Sequence, residues 1–173
     1  MIHNKLIFLD IDGVLNHTAA LSDGVELVAD KIALLRRLVG NTDANIVLSS
    51  SWRVLYNMEQ LTAMFAVLGF IKIPIVAATP SLDNKPRGYE IRQWLADKAP
   101  FADYLILDDD LDMLDSQLPY LVHTNMHCGL LSCQVDEAIV TLSAGIPFNN
   151  DSTISRLKQQ RKEDVGEVYP EFA

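Results

Sequence analysis

The sequence is short of cysteine: Cys128 and Cys133 are its two thiols. So few cannot build a disulfide framework, and they fit a reducing compartment. It lacks any apolar run long enough to cross a bilayer, which excludes a helical membrane span. A strand already begins at residue 6, leaving no room for a signal peptide. These absences predict a soluble, cytoplasmic protein with no membrane partner. Positive charge is also scarce. Fourteen Lys and Arg stand against 23 Asp and Glu, a net charge of −9. An acidic surface disfavours non-specific binding to nucleic acid, although part of that charge sits in acid clusters that a metal ion would neutralise. No repeat, linker or low-complexity segment is present.

What the chain does have is length and apolar content. Its 173 residues, 49% of them hydrophobic, suit one domain with a full core. Short apolar runs punctuate it: Leu6 to Leu9, Ile46 to Leu48, Ile73 to Ala78, Tyr104 to Leu107 and Tyr120 to His123. Each suits a strand; the first, second and fourth read as buried on both faces, while Pro74 marks the third as an edge or entry position. Between them apolar residues recur at helical spacing. Asp23 and Glu26 predict a capped helix through Val28, Ile32, Leu35 and Val39, stopping at Gly40. Asn16 to Gly24 reads as a loop. One helix is predicted from Trp52 to Gly69, another over 88–98, a short one at Leu111 to Leu114, and one from Ser132 to near Gly145. Strands alternating with helices predict an α/β fold: a three-layer sandwich around a five-stranded, mostly parallel, Rossmann-like sheet. Residues 1–150 would form the core, with a C-terminal helix and tail over 151–173 packed on or beside it.

The first strand ends in Asp10-Ile11-Asp12-Gly13. Side chains two apart on an extended segment point the same way, so Asp10 and Asp12 would share a face at the carboxyl end of a buried strand. That is where open parallel sheets bind ligands. Two like charges there need a counter-charge, usually a metal. Other predicted strand ends also carry polar groups: Ser49 and Ser50 after the second, Lys85 and Arg87 in the loop after the third, Asp108 to Asp110 after the fourth. Together they describe phosphoryl transfer. A carboxylate attacks phosphorus, a second carboxylate handles the proton, a hydroxyl and a cation hold phosphoryl oxygens, and acids hold Mg²⁺.

The ordered motifs resemble those of haloacid dehalogenase (HAD) superfamily phosphatases over roughly residues 5 to 145. The resemblance implies Asp10 as nucleophile and Asp12 as general acid/base, its main-chain carbonyl also meeting the metal. It implies Ser49, with Ser50 beside it, as phosphate-binding, and Asp109 with Asp108 as completing a Mg²⁺ site. For the basic residue, Arg87-Gly88-Tyr89-Glu90-Ile91 fits one version of the family motif and Lys85-Pro86 another. Asp112 is a further candidate ligand; Asp110 and Asp112 otherwise cap the short helix. Phe-Leu-Asp-Ile-Asp-Gly-Val-Leu-Asn, Leu-Ser-Ser-Ser-Trp-Arg and Leu-Asp-Asp-Asp-Leu-Asp-Met look most like the HAD domains associated with Swiss-army-knife RNA-repair proteins. The gaps from Asp10 to Ser49 and from Ser49 to Arg87 are too short for an inserted cap domain. In this superfamily that implies an open site, suited to a phosphorylated substrate such as a polynucleotide end. Phosphoproteins and small metabolites are the alternative substrates, and a non-catalytic HAD-like binding or regulatory protein is the alternative function. The spacing sets no oligomeric state.

Other residues carry two readings. Arg53 either touches substrate phosphate or sits at a surface helix start. Trp52 reads as core, with base stacking the other option; Trp94 reads as core. Asn16 and His17 either contact substrate or form an exposed turn. His123, His127, Cys128 and Cys133 lack a standard zinc spacing. Arg156 to Lys162 reads as a solvated basic face, or a nucleic-acid contact. A receiver domain also sets acids, a hydroxyl and a Lys on a parallel sheet, but its acid pair comes first and it has no Asp-x-Asp-Gly.

Overall fold

The computed structural model describes residues 5–164. The chain runs β1 (Lys5–Leu9), α1 (Thr18–Ser22), α2 (Ala29–Thr42), β2 (Asn45–Leu48), α3 (Trp52–Leu55), α4 (Met58–Val67), β3 (Ile75–Ala78), α5 (Arg87–Lys98), β4 (Asp103–Asp108), β5 (Leu121–His123), α6 (Ser132–Ala144) and α7 (Asp151–Asp164). The strands form one sheet in the order β3-β2-β1-β4-β5, and every pairing is parallel. The predicted three-layer α/β sandwich is therefore present, with all of its strands parallel.

Period-2 alternation divides the core between the two faces of the sheet. Ile7, Leu9, Ile46, Leu48, Leu105 and Leu107 pack against Ile32, Leu35 and Leu38 of α2, Phe65 of α4 and Val135 of α6. Leu6, Phe8, Val47 and Ile106 face the other way, towards Ile91 and Trp94 of α5 and Leu157 of α7. Trp94 meets Phe8 edge-on, ring centroids 5.7 Å apart, as a core aromatic should.

Several helix boundaries differ from the sequence reading, each for a tertiary reason. The expected loop after β1 contains α1. His17 caps it by accepting the Ala20 N–H, and Thr18 is tied to the distant Met126 carbonyl through both its N–H and its hydroxyl. Asp23 then closes α1, donating its N–H to Ala19 and Ala20 carbonyls, so it does not open the next helix. α2 passes through Gly40 and ends at left-handed Asp43 (φ 54°), because Leu38 and Thr42 still pack inward. The expected long helix breaks at Tyr56–Asn57, where Asn57 and Gln60 form a reciprocal capping box. Val54 and Leu55 are left exposed. Residues 110–114 form no helix. Leu111 and Met113 still enter the α5-side core, while neighbouring backbone groups bond to α5.

Asn150 caps α7 by accepting the Thr153 N–H. The basic stretch on this helix is only partly a solvated face: Arg156 and Lys162 are exposed, but Arg161 turns inward. Arg161 is 1% exposed and donates to the Met113 carbonyl and to Asp115. Lys158 lies 2.6 Å from the same carboxylate. The predicted tail beyond 164 lies outside the described residues.

Burial alone would push Asp115 up, but hydrogen bonds from Lys158 and Arg161 hold it below its ordinary value. A depressed carboxylate stabilises the fold above its unfolded pKa and loses that contribution as pH falls through the folded one. Asp115→Asn should therefore cost stability at neutral pH. That cost should fade as pH falls below the ordinary carboxylate range and through the lowered folded value. Urea titrations of both proteins across pH check this; a gap independent of pH would contradict it.

Candidate active site

Strand register builds the site. Leu9 pairs with Leu48 of β2 on one side and Leu107 of β4 on the other. The next residue along each strand therefore falls in one row: Ser49, Asp10 and Asp108. The row is fixed by backbone bonds from the Ser49 N–H to the Leu9 carbonyl (2.8 Å) and from the Asp10 N–H to the Leu107 carbonyl (2.9 Å). By alternation all three side chains follow Val47, Phe8 and Ile106 onto the α5 face. The row also lies where the strand order reverses, between β1 and β4, which is the switch point of such a sheet.

α5 sends its first residue into this row. Arg87 Nη1 lies 3.0 Å from Asp10 Oδ2 and 3.2 Å from Asp108 Oδ2, and donates to the Ser49 carbonyl. Burial opposes the charge on Arg87, yet Asp108, Asp10 and Asp112 outweigh it and drive its pKa further up. Asp112 caps this helix, accepting the Arg87 N–H on its side chain (2.9 Å) and the Gly88 N–H on its carbonyl (3.2 Å). It does not cap a helix of its own, as the sequence suggested. Lys85 is exposed, its ammonium 5.1 Å from the Tyr89 ring centre. Of the two basic candidates, Arg87 reaches Asp10.

Asp10, Asp108 and Asp109 can each offer a carboxylate oxygen within 4.8 Å of the others. Burial, then repulsion from Asp10, drives the fully buried Asp108 well up, although Arg87 opposes the rise. Burial, with Asp110 and Asp10 beside it, raises Asp109 to about 6. Three carboxylates against one guanidinium leave two negative charges uncompensated, which suits a divalent cation. All the donors are hard oxygens, as Mg²⁺ and Ca²⁺ prefer. Ser49 Oγ is fully buried and has no hydrogen-bond partner among the described residues. A buried orphan hydroxyl is costly unless a ligand satisfies it. The residues present thus fit a metal and an anion side by side.

Gly13 makes room for the third acid. Its φ of +64° is left-handed, and a Cβ there would lie 2.3 Å from Asp109 Cγ. His123, whose spacing to His127, Cys128 and Cys133 does not suit zinc, meets the Asp109 carbonyl through Nε2 at 2.9 Å. Cys128 and Cys133 are exposed and free.

The remaining candidates fall elsewhere. Asp12 lies outside the acid cluster: its carboxylate accepts from Asn16 Nδ2 at 2.7 Å and from Trp52 Nε1 at 3.0 Å. Ser50 Oγ accepts the Trp52 N–H. Arg53 is half-buried beside the cleft. It pairs with buried Glu90 at 2.7 Å and donates to the Ser50 carbonyl. Glu90 also accepts the Leu82 N–H, so it ties the β3–α5 loop to α3. Glu90 stands inside the motif that starts at Arg87, but nothing in the local sequence marks its pairing with Arg53. Around Arg87 lies a cleft of about 160 Å³ lined by Ser51, Arg53, Lys85, Glu90 and Asp112.

A family model described as the HAD domain in Swiss Army Knife RNA repair proteins matches residues 6–135. The chain belongs to this family. No curated protein and no solved structure gives a significant match. The matched span of the HAD domain runs from β1 into the start of α6 and holds every acid of the cluster. Its members are phosphatase-type hydrolases that typically use a divalent metal. The segment from Asp10 to Ser49 contains only α1, α2 and β2, and that from Ser49 to Arg87 only α3, α4 and β3.

Added Mg²⁺ should raise the Tm of the HAD domain by mass action. Gly13→Ala drives a methyl into Asp109 and should shrink that rise. Gly40→Ala, whose Cβ would meet nothing within 4 Å, should leave it intact. Equal Mg²⁺ shifts in the two variants, read by thermal melts over a Mg²⁺ series, would contradict the placement of the site.

Proposed function

We propose that this HAD domain is a cytoplasmic, Mg²⁺-dependent phosphomonoesterase that works through an aspartyl-phosphate on Asp10. The observation that carries the reading is the position of Asp10: inside the acid cluster, paired with Arg87, in one row with the orphan Ser49 hydroxyl. An Asp10 carboxylate oxygen attacks phosphorus, and the ester oxygen leaves with a proton from Asp12. Asp12 then takes a proton from water as that water attacks the acyl phosphate. Asp10 is regenerated and inorganic phosphate departs. Arg87 and the Ser49 hydroxyl hold phosphoryl oxygens through both steps, and Ser50 positions the start of α3. The side chains of Asp10, Asp108 and Asp109, with the Asp12 main-chain carbonyl, would hold the Mg²⁺. When bound, the ion supplies the charge neutralisation that lets a carboxylate approach a phosphate dianion.

The preferred substrate in this reading is a phosphate at the end of a polynucleotide. Two observations support it: the RNA-repair context in the family's description and the absence of any inserted domain between the motifs. The cleft beside Arg87 also carries Arg53 and Lys85, cations suited to a neighbouring phosphate.

Asp10→Asn should lower turnover by roughly three orders of magnitude or more while the fold persists. A panel of 3′- and 5′-phosphorylated oligonucleotides, phosphopeptides and small phosphate esters should show highest kcat/KM on an oligonucleotide. A folded Asp10→Asn protein with near-normal rate overturns the mechanism. Preference for a phosphopeptide or metabolite overturns the substrate.

A further inference from the structure

Asp12 is held by two donors, and neither can act as anything else. The first is the Trp52 indole, 3.0 Å from Asp12 Oδ2. An indole N–H donates only. The second is Asn16 Nδ2, 2.7 Å from Oδ1. The Asn16 amide is fully buried and its orientation is forced. Its Oδ1 accepts the Gly13 N–H at 2.9 Å, and its Nδ2 also donates to the Glu26 carbonyl at 3.1 Å. It can therefore present only N–H to Asp12. The indole is equally well placed. Trp52 is 6% exposed, its backbone N–H is accepted by Ser50 Oγ, and its ring lies 5.2 Å from that of Tyr56.

We infer that Trp52, with Asn16, is a positioning residue that fixes the plane of the Asp12 carboxylate for proton transfer. An ionised carboxylate has about four acceptor positions on its two oxygens. One donor on each oxygen fixes the group's rotation and leaves a second lone pair on each oxygen for the moving proton. Without the indole, one oxygen is untethered and the carboxylate turns about its last torsion. A misplaced acid or base loses much of its rate advantage while nucleophilic attack is untouched. The inference rests on Asp12 being the proton carrier of the proposed reaction.

Trp52→Phe keeps the ring and deletes the N–H. With 4-nitrophenyl phosphate the leaving group needs no proton, so formation of the acyl phosphate should stay near the wild-type rate. Its hydrolysis needs the base and should slow about tenfold or more. In acid-quenched reactions the variant should accumulate phosphoenzyme while steady-state turnover falls. Trp94→Phe, which changes the other, core indole, should show neither effect. Wild-type behaviour of Trp52→Phe overturns the inference. So does a parallel loss of burst and turnover, which marks a purely structural role. A wild-type enzyme that never forms phosphoenzyme overturns the phosphatase reading itself, and the positioning role with it. The contact has its own test. Asp12→Ala should move the Trp52 indole N–H resonance and leave that of Trp94 in place. An unmoved Trp52 signal overturns the hydrogen bond whatever the kinetics.

Discussion

Everything around the site answers to one electrostatic constraint: three carboxylates, Asp10, Asp108 and Asp109, crowd within 4.8 Å at the end of a buried sheet. In a medium that solvates charge poorly, like charges so close demand compensation. Arg87 supplies part of it, and much of the surrounding chain serves to hold Arg87. Asp112 caps the helix it starts. Gly88 lets that helix approach so closely that a Cβ would lie 2.5 Å from the Leu114 nitrogen. Gln117 accepts the Leu114 N–H and donates to the Gly88 carbonyl, closing the contact. The irregular 110–117 segment is thus a socket for the N-terminus of α5. That is why the apolar residues at 111–114 form no helix of their own.

The second half of the design is separation of roles. Two acids sit two positions apart, Asp10 just past β1 and Asp12 in the turn that follows. One enters the cluster, and the other is drawn aside by Asn16 and Trp52. Their partners come from different elements, Arg87 at the start of α5 for Asp10, and the loop after β1 with the start of α3 for Asp12. A single backbone turn thereby presents two carboxylates in unlike surroundings. Unlike surroundings are what the proposed reaction requires of its attacking group and its proton carrier.

The sheet and the acid motifs were legible in the sequence because each rests on local pattern. Runs such as Leu6 to Leu9 are buried on both faces, but the shared face expected for Asp10 and Asp12 did not form, because the turn after β1 carries Asp12 outside the acid cluster. The helix ends were less legible because their causes are distant in the chain. α1 exists through Met126, and the split after Leu55 exposes two apolar residues that periodicity had placed inside. The Arg53–Glu90 pair and the Trp52–Asp12 bond join residues about forty positions apart, and each residue alone has an ordinary role. Arg161 looked like part of a solvated basic face, yet it is buried against Met113 and Asp115. No local signal distinguishes a buried arginine from an exposed one on a polar helix.

The account turns on Asp10 becoming covalently phosphorylated. The most direct measurement is to quench a reaction with a phosphomonoester in acid, reduce the acyl phosphate with borohydride and sequence the peptides by mass spectrometry. Reduction converts a phosphorylated aspartate to homoserine, and the account predicts homoserine at position 10 and nowhere else. Phosphate release at full rate with an unmodified Asp10, or homoserine at position 12, 108 or 109 instead, would contradict it.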